Sequence, residues 1–254
     1  MKRVLIIGGV HGDEIGGVMI ARELKGWLQG KGIDGVDVIP EVNLQAIENR
    51  ERAHPTDGKD LNRSFPGDPD GTVSDRLAYD IFQKAKNYDC VIDLHTYGVG
   101  GRCIPYMLTD LKKEYNVELC KQVGLDNAVQ TGGTGKQLFL EISDIGIPSL
   151  IIEAGGAGWL RGELETVTKA LKNFIDGEPP GEVRFFDSYI WVPIEEAGHY
   201  IPKVSPGTEV KEGDVLGHLD DLPIRSPTHG LVLGIKMDGP CEPPEENIAS
   251  IAEI

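Results

Sequence analysis

Along the first 175 residues or so, two kinds of apolar run alternate. Short continuous runs rich in Val, Ile and Leu, such as Val4-Leu5-Ile6-Ile7 and Leu150-Ile151-Ile152, have the length and branching of buried strands, and strands are predicted at 3–7, 36–40, 90–94, 103–108 and 147–152. Longer segments between them carry helical spacing and predict helices at roughly 15–29, 74–87, 111–123 and 162–175, with Ser74 as an N-cap and Gly124 as a C-terminal stop. Strands alternating with helices build a mixed sheet flanked by helices, so the fold class is α/β.

The pattern changes at Asp176-Gly177-Glu178-Pro179-Pro180-Gly181, a run of turn formers after which helical spacing disappears. The remainder reads as short strands, among them Tyr189-Ile190-Trp191-Val192, Asp214-Val215-Leu216-Gly217 and Gly230-Leu231-Val232-Leu233. Two domains are expected: residues 1–176, and a small all-β barrel or sandwich over 183–254.

Composition narrows the function. With 40% hydrophobic and 26% charged residues the chain is globular, and 25 basic against 41 acidic residues give a net charge of -16. That charge repels nucleic acid and anionic membranes. No apolar stretch approaches the roughly 20 residues that span a bilayer, and the start shows no secretory signal. Cys90, Cys103, Cys120 and Cys241 form no CxxC pair, which fits reduced thiols and a cytoplasmic protein.

Candidate chemistry gathers at strand ends. The first strand runs into Gly8-Gly9-Val10-His11-Gly12-Asp13-Glu14, and open α/β sheets build their sites on such loops. His11 and Glu14 can converge on one metal ion where the backbone turns, and His95, ending Val91-Ile92-Asp93-Leu94-His95, supplies a third ligand. Two His and one Glu leave a position open, as in a catalytic zinc site. A phosphate loop is the competing reading of the glycines, but neither GxGxxG nor GxxxxGK is present, and Asp13 and Glu14 would repel phosphate. Glu153, ending the apolar run of Ile151-Ile152, is either paired or functional; beside the metal it could take a proton from water and return it to a leaving amine. Between Asn43 and Gly67 lie Arg50, Arg52, Asp60, Asn62 and Arg63. Arginines there could clamp a substrate carboxylate or stabilise an oxyanion.

With HGDE, DLNR followed by FPG, DLH and EAGG in that order, the chain resembles the succinylglutamate desuccinylase/aspartoacylase family, deacylases related to zinc carboxypeptidases. The resemblance implies a zinc carboxypeptidase-like fold holding one Zn2+ per chain on His11, Glu14 and His95. It also implies that Glu153 is the general base and then acid, that Arg52 polarises the scissile carbonyl and that Asn62 and Arg63 hold the substrate carboxylate. Asp60 would orient a ligating histidine from behind. Two departures stand out: Asn43-Leu44-Gln45-Ala46 replaces the usual Asn-Pro-x-Ala, and Arg50 competes with Arg52, which is favoured because it lies nine residues after Asn43.

The C-terminal module looks like a biotinyl/lipoyl barrel, but Asp220-Asp221-Leu222-Pro223 stands where a carrier has its lysine, so no prosthetic group is expected. The module is read instead as a wall that narrows the cleft. His54, His199, His218 and His229 are read as ordinary residues. The expected function is hydrolysis of the amide of a small N-acyl amino acid or related compound. A carboxypeptidase acting on short peptides and a non-catalytic metal or carrier module are the alternatives, and the acyl group and the oligomeric state, homo-oligomer included, stay open.

Overall fold

The computed structural model describes residues 3–98, 100–133, 135–156, 161–242 and 247–254, with the Arg161 side chain left aside. The first unit comprises β1 (Val4–Gly8), α1 (Ile15–Lys31), β2 (Val36–Ile39), α2 (Leu44–Asn49), α3 (Val73–Ala85), β3 (Cys90–Tyr97), β4 (Gly101–Cys103), β5 (Tyr106–Thr109), α4 (Glu114–Val123), β6 (Asn127–Gln130), α5 (Leu138–Asp144), β7 (Ser149–Gly156), α6 (Arg161–Asp176) and β8 (Arg184–Phe186). Seven strands form one mixed sheet in the order β2-β1-β3-β7-β5-β6-β8. Its first four strands are parallel, and the direction reverses at the antiparallel β7–β5 pair.

Both faces of this sheet are covered because its strands are apolar on both sides. Ile6, Ile92 and Ile152 pack with Ile20 and Leu24 of α1, Leu119 of α4 and Leu171 of α6. On the opposite face Leu5, Ile7 and Val91 pack with Ala78 and Ile81 of α3 and Leu138 and Ile142 of α5.

The second unit continues with β9 (Tyr189–Pro193), β10 (Gly198–Pro202), β11 (Glu209–Val210), β12 (Val215–Leu219), β13 (Leu222–Arg225), β14 (Gly230–Lys236), β15 (Gly239–Cys241) and β16 (Asn247–Glu253). These make two antiparallel sheets, β13-β12-β10-β15 and β11-β14-β16-β9, closed over Tyr200, Leu216, Val232 and Ile251. Among the described residues no helix is long and apolar enough to cross a membrane. None of the four cysteines is in a disulfide, and all are buried.

Several boundaries differ from the sequence pattern, each for a local reason. The strand expected at 103–108 divides at Ile104-Pro105: β4 leaves the main sheet and pairs with β14 of the second unit, while β5 stays. Similarly, β8 falls inside the span assigned to the β module yet pairs with β6 at the edge of the main sheet. Thr72, not Ser74, caps α3, because Asp75 accepts from both the backbone and the hydroxyl of Thr72 at 2.9 and 2.8 Å. Gly124 does end α4, in the left-handed conformation (φ 70).

Candidate active site

The loop after β1 carries His11 and Glu14 to the carboxyl edge of the sheet. It is pinned by backbone bonds from Val42 to Gly8 (3.0 Å), Asn43 to Gly9 (2.9 Å) and Gly12 to Glu51 (2.9 Å). Asn43 caps α2 by accepting from Ala46 N at 3.3 Å and also reaches back to the Val10 carbonyl at 3.4 Å. So the turn that lacks the usual proline is held by the asparagine itself. Gly12 is required here by contact, since a Cβ would lie 2.0 Å from the Ala46 carbonyl carbon.

His95 arrives from the neighbouring strand, beside a register shift between His95 and Tyr97. The Glu14 carboxylate sits between the two imidazoles, 2.7 Å from His11 Nδ1 and 2.9 Å from His95 Nδ1, and also accepts from Thr96 N at 3.1 Å. All three side chains are buried. One ligand atom from each lies within 4.8 Å of the others.

Each ring is backed on its far side by a carboxylate. His11 Nε2 lies 3.0 Å from Asp60 Oδ1, and His95 Nε2 lies 3.0 Å from Asp93 Oδ2, an ion-pair distance without hydrogen-bond alignment. Such backing turns the proton toward Nε2 and leaves Nδ1 free to ligate. Burial disfavours charge on all three groups, but mutual attraction outweighs it: Glu14 is held well below the carboxylate range, and both imidazoles are raised by their carboxylate neighbours. A buried anion between two neutral-capable imidazoles is a donor set that suits a divalent metal such as zinc.

The short helical turn Leu61–Arg63 begins at Asp60, whose carboxylate also accepts from Asn62 N at 2.8 Å and from Arg52 Nε at 3.2 Å. Arg52 reaches Glu14 as well, at 3.2 Å. Arg50 instead takes the left-handed cap of α2 (φ 56), and it is Arg52 that lines the cavity. Asn62 is buried with its side chain accepting from Leu138 N at 3.4 Å, and Arg63 donates to the Asn62 carbonyl at 2.8 Å. Both line the same cavity, of about 720 Å³.

Glu153 stands directly across from His95 in the β3–β7 register. Burial and the negative charge of Glu14 push its carboxyl up to about 7, against the pull of His95, His11 and Arg52, and its Oε2 is buried with no hydrogen-bond partner among the described residues. A carboxyl poised near neutrality can both take and give a proton.

The structure therefore brings His11, Glu14, His95, Arg52, Asn62, Arg63 and Glu153 to one cavity, with Asp60 behind His11. It adds residues the sequence reading passed over. Asp93 lies two residues before His95, and strand alternation alone puts the two on one face. Tyr189, Trp191 and Lys236 reach the cavity from the second unit. The pairing of β4 with β14 and the shared packing of Tyr97, Tyr106 and Phe186 with Leu231 and Leu233 bring that unit close, and the sequence pattern contains no signal for either.

The fold is a mixed α/β sheet whose carboxyl edge carries a buried His-Glu-His cluster able to hold a metal ion, with a second carboxyl beside it in one cavity. The model of the succinylglutamate desuccinylase/aspartoacylase catalytic domain matches residues 1–176, and the chain belongs to that family. It is 28% identical over 253 residues to N-alpha-acetyl-L-2,4-diaminobutyric acid deacetylase of Halomonas elongata, covering 86% of this chain and 70% of the relative. The fold is shared with a succinylglutamate desuccinylase/aspartoacylase from Rhodobacter sphaeroides (TM-score 0.87, 24% identity, 99% of this chain and 86% of that one). It is also shared with the product-bound ectoine utilization protein EutE (DoeB) from Ruegeria pomeroyi (TM-score 0.85, 23% identity, 100% and 86%).

Proposed function

We propose that this protein is a zinc-dependent amidohydrolase that releases the acyl group of a small N-acyl amino acid. The observation that carries the reading is the His11–Glu14–His95 cluster, within 4.8 Å and buried, with an unpartnered Glu153 carboxyl in the next strand. His11, Glu14 and His95 would hold the ion. A zinc ion there supplies Lewis-acid polarisation of the carbonyl and makes hydroxide accessible near neutral pH.

The chain's own groups do the rest. Glu153 takes a proton from the attacking water; the water oxygen bonds to the carbonyl carbon, the C–N bond breaks, and Glu153 returns the proton to the leaving nitrogen. Arg52 supports the negative charge that develops on the carbonyl oxygen, while Asn62 and Arg63 hold the carboxylate of the amino acid. Asp60 keeps the His11 ring in place.

Size supports a small substrate. A cavity of about 720 Å³ falls within the ~300–1,000 Å³ usual for small-molecule sites. Tyr189 and Trp191 of the second unit wall it and leave little room for an extended peptide. Four buried cysteines without a disulfide suit a reducing cytoplasm.

The test is primary-amine release from a panel of N-acyl amino acids, begun with N-acetyl-L-2,4-diaminobutyrate because the Halomonas elongata relative is named for it. Acylated tripeptides run alongside. Release from at least one acyl amino acid, with tripeptides slower, is expected; preference for the tripeptides would favour a carboxypeptidase.

A further inference from the structure

Glu153 has a neighbour on each side in the sheet register, His95 on β3 and Tyr106 on β5. The three side chains therefore share one face of three adjacent strands. Tyr106 is only 3% exposed, and what it exposes faces the cavity that it helps to line. Among the described residues its hydroxyl has no hydrogen-bond partner. The ring is buried while the hydroxyl opens on the cavity, where it is available to donate to a bound ligand.

Strand order places it relative to the cluster. Neighbouring strands lie about 4.8 Å apart, so Tyr106 stands roughly 10 Å from His95 across the sheet. With Glu153 on the strand between them, Tyr106 enters the cavity on the side of Glu153 away from His95, where the part of a substrate beyond the reacting carbonyl would lie. The next pair on the same face, Leu108 and Ile151, also lines the cavity and gives this region an apolar floor. Burial and the Glu153 carboxyl hold the phenol well above its usual range, so it stays protonated and can donate.

We propose that Tyr106 is a substrate-binding residue whose hydroxyl donates to an acceptor oxygen of the acyl amino acid beyond Glu153, fixing the length and orientation of the substrate. The inference rests on the amidohydrolase reading above. Tyr106→Phe removes the donor and leaves the acceptor buried without a partner, a cost of about 1–3 kcal/mol, or roughly 5- to 150-fold in binding.

The experiment measures kcat and KM of Tyr106→Phe, using N-acetyl-L-2,4-diaminobutyrate or, if it is not turned over, the panel member that the wild type hydrolyses fastest. In parallel, calorimetry gives Kd of the same compound for Glu153→Gln with and without Tyr106→Phe, so that the ligand is not consumed. Removing only a hydroxyl spares the ring packing; zinc content and melting temperature verify that the fold is kept. Weakening of both KM and Kd by at least fivefold, with kcat within threefold of wild type, is the expected result. Unchanged Kd overturns the inference, and so does loss confined to kcat, which would mean that Tyr106 acts through Glu153. If the wild type hydrolyses no panel member, the underlying reading fails instead.

Discussion

Replacing Gly12 by alanine tests whether the loop that carries two of the three cluster residues is held as described. Gly12 has no left-handed φ to protect; its constraint is contact. A Cβ there would lie 2.0 and 2.1 Å from the carbonyl carbon and oxygen of Ala46 and 2.4 Å from Ile47 N. All three are backbone atoms, so no side-chain rotation relieves the clash, and loop and α2 must part by more than an ångström. Overpacking costs about 1–3 kcal/mol and a backbone clash belongs at the upper end. For a chain of this size that lowers the melting temperature by about 6–12 °C. Because His11 and Glu14 flank Gly12, zinc affinity should fall with it. Gly26→Ala is the control: it lies within α1 with nothing within 4 Å of a Cβ. Its helix propensity gain of roughly 0.5–1 kcal/mol should raise the melting temperature slightly. Thermal melts with and without zinc, and competition against a zinc chelator, read both variants. A Gly12→Ala variant that melts and binds zinc like the wild type, or a Gly26→Ala variant that is as damaging, would show that contact with α2 does not hold this loop.

Three further outcomes are expected. Glu153→Gln keeps its zinc but loses about 10²–10⁴-fold in turnover, since shape is preserved and the base removed; metal loss on substitution would contradict the role. Arg63→Ala raises KM for acyl amino acids by about 10- to 100-fold through loss of a charge-assisted pair while sparing neutral amide analogues, whereas Arg52→Ala depresses turnover on both; equal behaviour of the two variants would refute the division of labour. Asp57, despite some burial, is held below the usual carboxylate range by bonds from Ser74 N (2.9 Å) and Ser74 Oγ (2.8 Å) at the start of α3. A depressed carboxyl stabilises the fold above its unfolded value, near 4, and loses that contribution as pH falls through its folded value. Asp57→Asn should therefore cost about 1 kcal/mol at pH 7, with the gap to wild type closing on acidification below about pH 4; a constant gap in urea melts across that range would refute it.

The main sheet was legible because its strands are apolar on both faces and the intervening helices carry clear spacing. Short elements were not: α2 and α5 are 6 and 7 residues long, too short for periodicity to declare them. Near Cys103 the strand pattern ran on through Ile104-Pro105, although the chain changes sheets there. The His, Glu and Arg residues of the site were readable from motif order and from their places at strand ends. Tyr106 was hidden by the same rule that reveals strands: in an all-apolar run, which residues face the site depends on register with neighbours that are far apart in sequence, whereas Asp93 was within reach of its two-residue spacing from His95. Trp191 and Lys236 depend on how the second unit docks.

Reconstitution of metal-stripped protein with zinc, following amine release from the best acyl amino acid at each addition, tests the central claim most directly. The account predicts that stripped protein is inactive, that activity rises linearly with zinc and breaks at one equivalent per chain, and that His95→Ala abolishes the rise. Activity that survives stripping, or a break at a different stoichiometry, would contradict it.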